Sequence, residues 1–82
     1  MSEEKEYEIM VNGTEHEVHD ARVTYEQVVE IAFPGHPNNP DIIYAVTFEH
    51  AEKPKQGTLS AGGSVIVKKH GTIFDVTPTN RS

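Results

Sequence analysis

The chain has 82 residues, with thirteen Asp and Glu against seven Lys and Arg and a formal net charge of -6. A single domain of this size buries only about 60–65% of its unfolded surface, so its core is small. The absence of cysteine rules out a disulfide framework and a thiolate metal site, and the acidic balance argues against a phosphate backbone as partner. The plainest reading of the acidity is solubility. No apolar run approaches the ~18 residues of a spanning helix, and Ser2-Glu3-Glu4-Lys5-Glu6 lacks the apolar segment of a signal peptide. The expectation is a cytoplasmic protein without membrane or nucleic-acid partners.

Residues 1–5 read as a disordered acidic lead. From Glu6 the pattern alternates, with Tyr7, Ile9 and Val11 on one side and Glu6, Glu8 and Met10 on the other. Asn12-Gly13 follows, a strong hairpin signal because both central residues of a type I′ turn need φ > 0. A two-residue turn sets Val11 opposite Thr14, Ile9 opposite His16 and Tyr7 opposite Val18. The other face pairs Met10 with Glu15 and Glu8 with Glu17. The like charges of Glu8 and Glu17 are mildly unfavourable, so that face is expected to be wet.

Thr24 is a good N-cap, and Gln27 three residues on completes a capping box. Glu26 lies in the first turn, where the helix dipole favours an acid. Tyr25, Val28, Val29 and Ala32 form one apolar stripe, widened by Ile31. Pro34-Gly35 ends the helix, and residues 36–41 are a loop. Ile42 to Phe48, nearly continuous in apolar and β-branched residues, predicts a strand. Glu49 to Gln56 is a charged loop. Gly57-Thr58-Leu59 is a short strand or an anchoring turn, and Gly62-Gly63 a turn. Ser64 to Lys68 and Thr72 to Thr77 predict a second hairpin around Lys69-His70-Gly71. The expected core is Ile9, Val11, Val18, Val28, Val46, Leu59, Val65, Val67, Phe74 and Val76.

Catalytic and metal patterns are weak. His16 and His19 are three apart, which in a strand sends them to opposite faces. His36, His50 and His70 fall in separate loops or turns, and no histidine pair has the i, i+4 spacing of a helical ligand clamp. Ser60, His70 and Asp75 supply the residue types of a triad, but a domain this small has little room for a substrate cleft. Neither enzymatic activity, a cofactor nor a metal is expected.

Hairpin, one helix, then further strands is the order of an α+β fold, a ubiquitin-like β-grasp with a mixed sheet of four to five strands packed on one short helix. Such a sheet has one face covered by the helix and one open. If Val65, Val67, Phe74 and Val76 face the helix, Ile66 and Ile73 face outward. Either Ile43, Ala45 and Thr47 or Ile42, Tyr44 and Phe48 join them, since both sets are apolar. An exposed apolar patch marks a docking surface, and Ile66, Ile73 and Tyr44 are its expected members; the alternative is scattered apolars or a covered face.

The chain resembles bacterial multiubiquitin-type domains. The likeness rests on Val11-Asn12-Gly13, residues 24–35, Tyr44-Ala45-Val46-Thr47-Phe48, Gly57-Thr58-Leu59, Ser64-Val65-Ile66-Val67-Lys68 and residues 71–79, and so spans roughly residues 6 to 80. The resemblance implies a ubiquitin-like modifier that itself catalyses nothing. An E1-like enzyme would activate its C-terminal carboxylate, an E2-like carrier would pass it to a target protein, and a peptidase would process or remove it. Members often carry tandem copies; the single copy here suits a free modifier. On this reading the domain covers residues 6–78 and Thr79, Asn80, Arg81 and Ser82 form a flexible conjugation tail, launched by Pro78, which stops strand pairing. The chain departs from ubiquitin in ending Asn80-Arg81-Ser82 instead of in two glycines, whose bare backbone passes narrow enzyme channels. Trimming, a more permissive enzyme, or no conjugation at all would each account for that. The alternative is a non-covalent interaction module docking through the exposed sheet face. A sulfur carrier, which needs a C-terminal thiocarboxylate on Gly-Gly, fits less well.

Overall fold

The computed structural model describes residues 6–34 and 42–80, with only the backbone described at Ile42 and Asn80. The expectations for residues 1–5, Gly35, the loop to Asp41, Arg81 and Ser82 lie outside the described residues.

Asn12 and Gly13 both have positive φ (51° and 83°), so the turn conformation that the dipeptide favours is the one adopted. It joins β1 (Tyr7–Val11) to β2 (Thr14–Val18) in the register expected of a two-residue loop, Val11 opposite Thr14 through Tyr7 opposite Val18. A short strand, β3 (Arg22–Thr24), then leads into the helix α1 (Tyr25–Ala32). Thr24 is the N-cap: its hydroxyl accepts from the Gln27 N–H, while Gln27 Oε1 accepts from the Thr24 N–H at 3.0 Å. The helix is eight residues long and depends on this cap and on packing, because so short a segment does not hold alone. Its inner face buries Val28 and Val29.

The remaining strands are β4 (Ile42–Glu49), β5 (Gly57–Leu59), β6 (Ser64–Ile66) and β7 (Thr72–Asn80). Five strands form one mixed sheet in the order β2-β1-β7-β4-β5. β1 and β7 run parallel at its centre; the other pairs are antiparallel. Helix α1 packs across β1, β7 and β4. This is the α+β ubiquitin-like β-grasp: one helix held in the concavity of a sheet whose first and last strands are central neighbours.

All ten expected core residues are buried, together with Val23, Val29, Phe48 and Ala51. Phe48 and Phe74 lie opposite one another in the β4–β7 ladder, with ring centroids 6.1 Å apart.

Two expectations fail. The second hairpin does not form: β6 pairs antiparallel with β3 in a separate two-stranded sheet, Arg22 opposite Ile66 and Thr24 opposite Ser64. Alternation puts Val65, Val67, Phe74 and Val76 on inward faces, as expected, but does not specify which strand lies alongside. β7 takes β1 and β4 as its neighbours instead. Pro78, in turn, does not end pairing. It sits inside β7 opposite Tyr44, and the strand continues through Thr79 and Asn80, opposite Ile43 and Ile42. The reason is the side on which the missing N–H would point. The Val76 N–H and C=O both face away from β4, toward the Asn12 side chain, and Pro78, two residues on, faces the same way. There β1 has already ended, so the proline removes no ladder bond.

Candidate docking face and C-terminal strand

The ladder registers define the open face of the sheet. With Val46, Phe48, Phe74 and Val76 buried beneath the helix, alternation turns Ile43, Ala45, Thr47 and Glu49 of β4 outward. On β7 the outward set is Ile73, Asp75, Thr77 and Thr79. On β1 and β2 it is Glu8, Met10, Glu15 and Glu17, and Thr58 follows on β5 opposite Thr47. The choice between two apolar sets on β4 thus falls to Ile43, Ala45 and Thr47, and Ile43 is 47% exposed.

The three expected docking residues therefore separate. Ile73 occupies the middle of the open face, half-buried, between Met10 of β1 and Glu49 of β4. Tyr44 belongs to the other face. Its ring lies 5.4 Å from that of Phe33 at the end of the helix, and its carbonyl accepts from the Tyr25 hydroxyl at 3.1 Å. Ile66 lies outside the five-stranded sheet. Its backbone is held by Arg22 across β3 and by Glu52 and Lys53 of the preceding loop, with Ile66 N–H donating to the Lys53 carbonyl at 3.0 Å. Tyr44 was misplaced because both alternating sets on β4 are apolar, and Ile66 because its strand pairs elsewhere.

Two hollows adjoin on the open face, and Ile73 helps to line both. One, of about 480 Å³, runs between β4, β5 and β7 and carries the carboxylates of Glu49 and Asp75 above Thr47 and Thr58. The other, of about 210 Å³, lies over β1, lined by Glu8, Met10, Glu15 and His70. Beyond it Glu17 is crowded by acids. Its carboxyl hydrogen-bonds Glu6, and the charges of Glu6 and Glu8 with that bond hold its pKa above the ordinary carboxylate value. His70 Nδ1 stands 3.0 Å from a Glu8 oxygen. None of the residues that the registers place on this face is Lys or Arg.

Of the expected tail, Thr79 and Asn80 are the last rungs of β7. The Thr79 hydroxyl donates to the Ile43 carbonyl at 2.7 Å, latching the strand end to β4. A signal for this was present: Thr77 and Thr79 are β-branched, and Pro78 between them is compatible with an open edge. Among the described residues no hydrogen bond joins Ser60, His70 and Asp75, and none form a group that could hold a metal ion. No helix in the described residues is long and apolar enough to cross a membrane.

No curated protein and no solved structure matched the chain. The family model of multiubiquitin matches residues 7–80. That span begins on the first residue of β1 and closes on the last of β7, so hairpin, helix and every later strand fall within it, and the chain belongs to the multiubiquitin family.

Proposed function

We propose that this protein is a ubiquitin-like modifier of a bacterial conjugation pathway. Its mature C-terminal carboxylate is the reactive group: an E1-like enzyme joins it to the α-phosphate of ATP with release of pyrophosphate. A cysteine thiol of the E1-like enzyme displaces AMP to form a thioester, which passes by exchange to a thiol of the E2-like enzyme; a target amine or hydroxyl then takes the acyl group and frees that thiol. A peptidase of the same pathway processes or removes the modifier. The supporting observation is the match of the whole β-grasp to multiubiquitin. The modifier contributes position and not catalysis. β7 is a central strand, buried at Phe74 and Val76, and its pairing with β4 runs to Asn80.

The test is ATP–pyrophosphate exchange with a candidate E1-like enzyme from the same organism. Exchange that depends on this protein, and disappears when its C-terminal carboxylate is amidated, supports the proposal. No exchange from an enzyme shown to activate another ubiquitin-like protein contradicts it.

A second reading, a non-covalent interaction module, is favoured by the open face. There an apolar centre at Met10 and Ile73 is flanked by hollows on an uncovered sheet. The two readings part on variants: a module loses function with Ile73→Asp and keeps it when Arg81 and Ser82 are removed, whereas a modifier depends on its terminus.

A further inference from the structure

The open face has a consistent chemistry. Two hollows share Ile73 as a common wall, and each carries two carboxylates, Glu49 and Asp75 in one and Glu8 and Glu15 in the other. The residues that the registers place there include no lysine or arginine to neutralise them, and the side chain set against one of these carboxylates is His70, whose Nδ1 stands 3.0 Å from a Glu8 oxygen. At the rim Glu17 holds its proton more tightly than an isolated carboxyl, first through its hydrogen bond with Glu6 and then through the Glu6 charge, with a smaller push from Glu8. An apolar partner would leave these acids facing one another across a drying interface, and an acidic partner would add to the repulsion. A second copy of this chain, with net charge -6, is a poor occupant for the same reason.

From this geometry we propose that the sheet face docks a basic segment of another protein, two of whose lysine or arginine side chains straddle Ile73, one in each hollow. The aliphatic stems of such side chains pack on Ile73 and Met10 while their cationic heads reach the carboxylates beyond. Arginine suits the larger hollow better, because its planar fork engages Glu49 and Asp75 together. This inference rests on the docking reading of the open face and adds the charge of what docks.

The test uses the full chain and three synthetic heptapeptides: one with two arginines at alternate positions among alanines, a neutral one with leucines in their place, and one with glutamates. Each is titrated into isotopically labelled protein at low ionic strength. With the basic peptide, amide shifts centre on Met10, Thr47, Gly71 and Ile73, and binding weakens as salt is raised. Glu49→Gln with Asp75→Asn weakens it about fivefold or more, the size expected for losing two partly exposed charge pairs. Ile73→Ser weakens it with no change in net charge, which a diffuse attraction to an acidic protein would not produce. Shifts spread equally over Glu26, Glu30 and Glu52, indifferent to Ile73→Ser, overturn the proposal. Binding of the neutral peptide in preference at the same face overturns the basic partner while leaving the docking reading in place. Binding of none of the three overturns both. None of these outcomes depends on the activating enzymes, so a failure of conjugation reads out separately.

Discussion

Thr72 is the one polar residue completely buried among the described residues. Its hydroxyl accepts from the Lys68 N–H at 3.0 Å and donates to the His50 carbonyl at 2.9 Å. It thereby ties the loops before β5 and before β7 to one point. Thr72→Val keeps the shape and strands both backbone groups. An unpaired buried group costs about 1–3 kcal/mol, so urea denaturation should show a loss of that order, most of it recovered in Thr72→Ser. Asn12 works similarly at the turn. Its side chain receives the Val76 N–H at 2.8 Å and donates to the Val76 carbonyl at 3.1 Å, standing in for the strand residue that β1 no longer provides. Asn12→Gly keeps the positive φ and removes both bonds. The expected loss is about 1 kcal/mol or more by the same measurement, which would show that Asn12 is more than a turn former. Glu17 supplies a pH dependence. Its folded pKa lies above the unfolded value chiefly because its carboxyl hydrogen-bonds Glu6 and feels that residue's charge. The native state therefore holds that proton more tightly, and stability falls as pH rises through the carboxylate range to the raised value. Glu17→Gln should raise the urea midpoint at neutral pH, and the gain should vanish below the ordinary carboxylate pKa, where Glu17 is protonated in both states.

At the scale of elements, α1 is a short helix held at its start. Thr24 caps it while also pairing with Ser64 as the end of β3. The Tyr25 N–H donates to the Gly63 carbonyl, and the Glu26 carboxylate accepts from the Gly62 N–H. Thr24→Ala should cost about 1 kcal/mol and lower the thermal midpoint. This cap was legible in the sequence because both its residues lie within four positions. So were the β1–β2 register, which a two-residue turn dictates, and the inward faces of β6 and β7, which alternation dictates. Strand partnership was not: β6 pairs with β3, about forty residues earlier, and local pattern carries no information on such a pairing. Pro78 was read by its usual effect, whereas its consequence here depends on a neighbour that stops at Val11. The last rungs of β7 make a further prediction. Thr79→Val removes the 2.7 Å latch to Ile43 and should speed hydrogen exchange at the Thr79 amide about threefold to tenfold, as expected for one modest hydrogen bond. The global unfolding midpoint should stay nearly unchanged.

Over the whole molecule, the helix-covered side of the sheet makes the core, and the other side carries acids around Met10 and Ile73. The end of β7 leaves from the centre of the sheet beside the start of β4. The acidic face and the end of β7 thus belong to one sheet. The sequence carried the fold and the outward position of Ile73. It did not carry the acidic character of the face as a whole, because Glu8, Glu15, Glu49 and Asp75 come from four strands and meet only through the registers. The most direct test of the modifier account is intact mass of the protein incubated with ATP and candidate E1-like and E2-like enzymes from the same organism. The account predicts a thiol-labile adduct one modifier heavier on the E2-like enzyme, joined through the C-terminal carboxylate. Unattached protein alone, with enzymes proven active, would contradict it.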